Sequence, residues 1–160
     1  MDVAYINPFI EAASTVFKTA LNCDIERRLI TFKKTELPGF EISGVIGLSG
    51  KVTGAVVLSV STPLAFKVVE TLLGTRVSDI NADVVDAVGE LTNMIAGGAK
   101  TALAHLDMSI GLPSVVTGGS HCITFASRVP PLGILFDTAW GPMTLEVTME
   151  TGTPGRPKQG

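Results

Sequence analysis

The chain has no long apolar run, no basic excess and few cysteines or aromatic residues. No stretch approaches the roughly 18 consecutive apolar residues that a bilayer-spanning helix needs, so no membrane segment is expected. Twelve Lys and Arg stand against fifteen Asp and Glu, a net charge of −3, which argues against a surface built to track nucleic-acid phosphates. The two cysteines, Cys23 and Cys122, lie far apart without a C-x-x-C pairing. That excludes a disulfide framework and a zinc site and leaves them as buried or inert thiols. The opening residues MDVAYINPFIEA have neither a basic n-region nor an apolar h-region, so no signal peptide is expected and the default is a cytoplasmic protein. Aromatics make up only 6% of the chain while 46% is hydrophobic. The core is therefore expected to be aliphatic and closely packed on glycine, within one domain over residues 1–150. The Gly/Pro-rich stretch 151–160 reads as a disordered polar tail.

Three helices and a set of strands follow from periodicity and punctuation. Asn7 is placed to cap a first helix with Pro8 just inside it, running to about Leu21. Residues 25–36 read as a strand, 37–40 as a turn, and 41–48 and 52–60 as a hairpin closed at Ser49-Gly50-Lys51. A second helix begins near Thr62-Pro63 and ends before Gly74. A long third helix spans about 82–106, with Asn81 as its cap. Strands are expected at 112–117, 121–126 and 134–139, and a last one at 143–150 after Gly141-Pro142. The spacing Asn7, Glu11, Ser14 in the first helix matches Asp86, Glu90, Asn93 in the third. The chain thus reads as α/β (α+β), with long amphipathic helices on an antiparallel-rich sheet and two helix-plus-hairpin halves about a pseudo-twofold axis.

The third helix carries the chemistry. At about 100° per residue, Asp83, Asp86, Glu90, Asn93, Gly97 and Lys100 fall within an arc of roughly 100°, with Val84, Val88, Leu91 and Ile95 opposite. Such a stripe is either a solvated face or a site. Gly97-Gly98 bears on the choice, since a mid-helix glycine costs about 1 kcal/mol relative to alanine. Gly97 lies on the stripe, where a missing side chain lets another surface approach, and Gly98 points to the flank.

Asp86-x3-Glu90-x2-Asn93, followed after a long helix by Pro113, resembles the signature of the CheC/CheX/FliY family of chemotaxis phosphatases. The segment GAVVLSVSTPLAFKVVETLLG, residues 54–74, resembles the strand and helix that precede it. One site rather than two, with Ser14 in the first helix, is closest to the CheX branch. The resemblance implies hydrolysis of the aspartyl phosphate of a CheY-type response regulator. Asn93 would orient the attacking water and Glu90 would anchor the partner's active-site lysine. Asp86, Gly97 and Lys100 would serve partner binding. No cofactor of its own is implied, with Mg2+ expected on the partner, and a homodimer is expected. The alternative is a non-catalytic module that binds a receiver domain or switch component with the same face.

Other motifs fail. Gly50-Lys51 is no phosphate-binding loop, because Val45 and Val52 occupy the positions of its first glycine and its hydroxyl residue. Lys51 also spoils a nucleophile elbow at 47–51. Asp83, Asp86 and Glu90 on one helix cannot wrap a metal ion. His105 is expected at the end of the long helix and His121 in or beside a strand, neither with ligands at metal-binding spacing.

Overall fold

The structure is a computed structural model that describes residues 3–119 and 121–152. Three helices, α1 (Asn7–Leu21), α2 (Thr62–Leu73) and α3 (Ala82–Ala102), pack on one face of a sheet. Its strands are β1 (Ile25–Thr31), β2 (Ile42–Gly50), β3 (Val52–Val60), β4 (Met108–Ile110), β5 (Ser114–Thr117), β6 (Leu132–Thr138) and β7 (Met143–Thr151). All pairings are antiparallel, in the order β1-β6-β7-β3-β2, with β4 and β5 sharing the outer side of β2.

That order contains the expected twofold. Exchanging β1 with β5, β2 with β6 and β3 with β7 returns the same sheet read backwards. Each half is a helix, a lone strand and a strand pair, and each lone strand crosses to pair with the other half: β1 with β6, β5 with β2. The halves meet at β3 and β7, in register from Val52↔Thr151 to Val60↔Met143.

Alternation in the central strands decides which side is core. Val52, Val56, Leu58 and Val60 of β3 and Met143, Leu145, Val147 and Met149 of β7 join the cluster formed with Phe9, Phe17, Leu64, Val88 and Leu91 from the helices. Burying a side chain of this size contributes about 1.5–3 kcal/mol.

Several element ends differ from the sequence expectations, each for a local reason. Ile6, not Asn7, is the N-cap of α1, because a helical turn over Val3–Tyr5 leads in and Ile6 is already buried. β1 stops at Thr31 rather than 36. Thr31 Oγ1 accepts from the Lys33 N–H at 2.9 Å and donates to Glu36 Oε2 at 2.6 Å, folding the chain into a single turn at Lys34–Glu36. α3 ends at Ala102, and Ala104–Leu106 forms a separate 3-10 turn that carries His105, closed by Asp107 in the left-handed region. The strand expected over 112–117 is β5 alone, beginning after Pro113, and β4 precedes it unexpectedly.

Residues 121–126 are not a strand. They alternate between half-buried (His121, Ile123, Phe125) and exposed (Cys122, Thr124, Ala126), but they join no ladder. Of the two free thiols, Cys122 is thus exposed, whereas Cys23 is buried. Side chains hold the segment instead. Lys34 Nζ donates to the Ile123 carbonyl, and Glu150 Oε1 accepts from Ser127 Oγ and the Arg128 N–H, both at 2.9 Å. Thr151 belongs to β7 rather than to the tail expected over 151–160, and residues 153–160 lie outside the described ones.

The caps at Asn81 and Gly74 agree with the sequence. Asn81 Oδ1 accepts the Val84 N–H at 3.1 Å, and Gly74 closes α2 at φ 69°. Gly50, at φ 98°, turns the β2–β3 hairpin, beside which Lys51 pairs with Asp107 at 2.8 Å.

Candidate functional site

α3 is seated from below and from both flanks. Underneath, Thr92 is fully buried and donates to the Val88 carbonyl at 2.7 Å. Its hydroxyl lies so close to Gly44 of β2 that a Cβ there would stand 2.0 Å from Oγ1. On one flank, a Cβ on Gly98 would meet the Ala12 methyl of α1 at 3.1 Å, so Gly98 lets the two helices close together. On the other flank Pro113 and Val115 pack on Gly89, whose added Cβ would sit 3.4 Å from Val115 Cγ2. Between these walls the polar stripe faces outward.

Each residue expected in the site lies on this outer side. Asp86, Glu90 and Lys100 are exposed, and Asn93 and Gly97 are half-buried. Among the described residues none of the side chains of Asp86, Glu90, Asn93 and Lys100 has a hydrogen-bond or ion-pair partner. The carboxamide therefore keeps both its donor and its acceptor capacity for something outside the chain. Gly97 has nothing within 4 Å of where a Cβ would be. No internal packing calls for glycine there, so its cost to the helix has no return within the fold. Asp83, also exposed, lies in the first turn, where a carboxylate suits the helix dipole. On α1, Asn7, Glu11 and Ser14 are exposed as well, but a hydroxyl stands where α3 has its carboxamide.

Sequence reading missed a second polar cluster on the far face of the sheet. Ser43 Oγ lies 2.7 Å from both Ser59 Oγ and His121 Nε2, while His121 Nδ1 is 3.2 Å from the Gly118 carbonyl. His121 is thus beside a strand, as expected, but tied to it by its ring. Nearby, Glu146 is buried and faces Lys34 Nζ at 3.3 Å. Burial pushes its carboxyl above the ordinary carboxylate range, and Lys34 offsets only part of that. A small cavity of about 180 Å³ opens between this pair and Ser59, Thr144 and His121. Only the fold brings these residues together. Among the described residues no group of three or more His, Cys, Asp or Glu could hold a metal ion, and no helix is long and apolar enough to cross a membrane.

A family model described as chemotaxis phosphatase CheX matches residues 42–137, from β2 through α3 into β6. The chain belongs to the CheX family. A curated relative, CheY-P phosphatase CheX of Thermotoga maritima, is 29% identical over 122 residues, covering 74% of this chain and 78% of that protein. The crystal structure of chemotaxis protein CheX from Vibrio vulnificus superposes with a TM-score of 0.87 at 31% identity, covering 92% of this chain and all of that one. A CheX–CheY–BeF3–Mg2+ complex from Borrelia burgdorferi shares the fold, with a TM-score of 0.79 at 23% identity, covering 93% and 99% of the two chains.

Proposed function

We propose that this CheX-family chain hydrolyses the aspartyl phosphate of a CheY-type receiver domain, with the α3 stripe as its working face. The observation that carries this is the outward Asn93 carboxamide, free of internal partners, one turn from an equally free Glu90. The Thermotoga relative is named a CheY-P phosphatase, and the Borrelia relative is a complex with CheY carrying BeF3 and Mg2+.

Phosphoryl transfer has a loose transition state, so catalysis rests on positioning and charge stabilisation. Asn93 Oδ1 accepts a hydrogen bond from the attacking water and Nδ2 donates toward a phosphoryl oxygen. The water oxygen forms the new P–O bond as the P–O bond to the receiver's aspartate breaks. The products are the free carboxylate and inorganic phosphate, which takes up both protons of the water as H2PO4− before equilibrating with solvent. Mg2+ belongs to the receiver and neutralises phosphoryl charge there. Glu90 pairs with the receiver's lysine and fixes the register. Asp86 adds a negative flank, Lys100 a cation at the C-terminal end, and Gly97 the bare backbone that lets the partner close on Asn93. A second copy of the chain pairs along an open sheet edge; β1 offers Ile30 there, 39% exposed, and Phe32 follows just past its end, 50% exposed. Sedimentation is expected to give a dimer.

Mixing the protein with a phosphorylated receiver is expected to speed loss of the phosphoryl group. Binding with equal rates would leave only a docking module. Gly97→Ala separates fold from function, because its two effects have opposite signs. With open space at its Cβ, alanine is expected to stabilise the fold by up to about 1 kcal/mol through helix propensity. The same methyl stands between the two molecules and is expected to raise KM several-fold. Thermal unfolding alongside steady-state kinetics reads both, and higher stability with unchanged KM would remove Gly97 from the interface.

A further inference from the structure

The two walls of the α3 stripe differ in chemistry. The α1 side is a shallow groove lined in part by Pro8, Glu11 and Thr15. The other wall is Pro113, which packs on Gly89, and Gly89 lies on the same ridge as the site, three residues after Asp86 and four before Asn93. Immediately before Pro113 stands Leu112, 91% exposed, far more than any other exposed large hydrophobic residue described. It is not at the tip of a loose loop. The Gly111 N–H donates to the Gly47 carbonyl at 2.9 Å, tying one side of Leu112 to β2. On its other side the proline ring restricts the backbone and rests on α3. The chain thus holds a large apolar side chain in water, between two fixed points, beside its acidic ridge.

We infer that Leu112 is the apolar anchor by which the receiver domain docks, seating on the Pro113 side of α3 while the carboxylates face its cationic site. This rests on the function proposed above and adds a contact outside the signature residues. Single exposed leucines are common on surfaces; the charge pattern around this one selects the occupant. Asp83, Asp86 and Glu90 are exposed and without ion-pair partners among the described residues, which suits a partner surface carrying a lysine and Mg2+. Charges of this kind steer encounter and set orientation, whereas a desolvated apolar anchor slows departure.

The test uses the full chain and a CheY-type receiver loaded with Mg2+ and beryllofluoride for binding, and the phosphorylated receiver for kinetics. Leu112→Asp is expected to raise Kd and KM at least tenfold, Leu112→Ala about fivefold, and Leu112→Met to restore nearly the original values. In each variant kcat stays within twofold and the unfolding temperature is unchanged, because the side chain supports nothing internal. Unchanged Kd and KM in Leu112→Asp would overturn the inference and leave the proposed function standing, and so would a loss confined to kcat. If the unaltered chain neither binds nor dephosphorylates the receiver, both fall together.

Discussion

Asn93→Ala is expected to lower the rate of receiver dephosphorylation about 10²- to 10³-fold, the usual worth of one well-placed polar group. That corresponds to about 3–4 kcal/mol of transition-state stabilisation. The loss should fall on kcat, because the methyl still fits against the partner but can neither accept from the water nor donate to the phosphoryl oxygen. The fold should not notice. Asn93 is half-buried without an internal hydrogen bond, so no partner is orphaned by its removal. Glu90→Gln provides the contrast. It loses the charge facing the partner's lysine while keeping shape, so its cost is expected in KM as well as kcat, and it should weaken as salt is raised. Single-turnover decay of phosphorylated receiver at saturating protein isolates the chemical step. If Asn93→Ala decays within twofold of the unaltered chain there, the water is oriented by something else and the proposed mechanism is lost.

The second large effect lies on the opposite face of the sheet. Lys34→Met leaves Glu146 buried without its cation and removes the donor to the Ile123 carbonyl. Breaking a buried pair from one side costs about 3–5 kcal/mol. For a chain of this size, even the lower figure lowers the unfolding temperature by about 6–12 °C. The pH dependence follows from the sign of the shift. Glu146 is already held above its ordinary value of 4.5 by burial, so its ionised form opposes folding. That penalty is full above the folded-state value and vanishes as pH falls to about 4.5. Without Lys34 the folded-state value rises further. The destabilisation should therefore be greatest at neutral pH and shrink on acidification. Restoring neutrality with Lys34→Met/Glu146→Gln should recover much of the loss at pH 7. Unfolding midpoints between pH 4.5 and 7.5 decide the matter: a small deficit independent of pH would mean that the pair contributes little.

What was legible from sequence was whatever periodicity and punctuation encode. The α3 stripe repeats with the helix, Asn81 and Gly74 are capping residues by their chemistry, and Gly50 marks the hairpin. What was hidden depends on contacts between distant residues. Thr31 looks like one more strand residue until its hydroxyl bonds to Lys33 and Glu36 and turns the chain. Residues 121–126 read as a strand, yet their half-buried side chains lie over the sheet face rather than beside an edge, so the segment joins no ladder. The approach of Gly44 to Thr92, which sets the height of α3 over the sheet, joins residues far apart in the chain. Leu112 gave no signal, because only the finished surface shows that nothing covers it.

The exchanged lone strands bear on how the chain is made. β1 is synthesised roughly a hundred residues before its partner β6, the separation spanned by the ion pair Arg28–Asp137. Until then the nascent N-terminal half carries an unsatisfied edge, and β2 likewise waits for β5. Neither half can close its own sheet, so cutting the chain between α2 and α3 yields two fragments that each lack a strand only the other possesses. Completion of the sheet is thereby deferred until β5 and β6 have been synthesised, and pairing of strands so far apart in the chain is intrinsically slow.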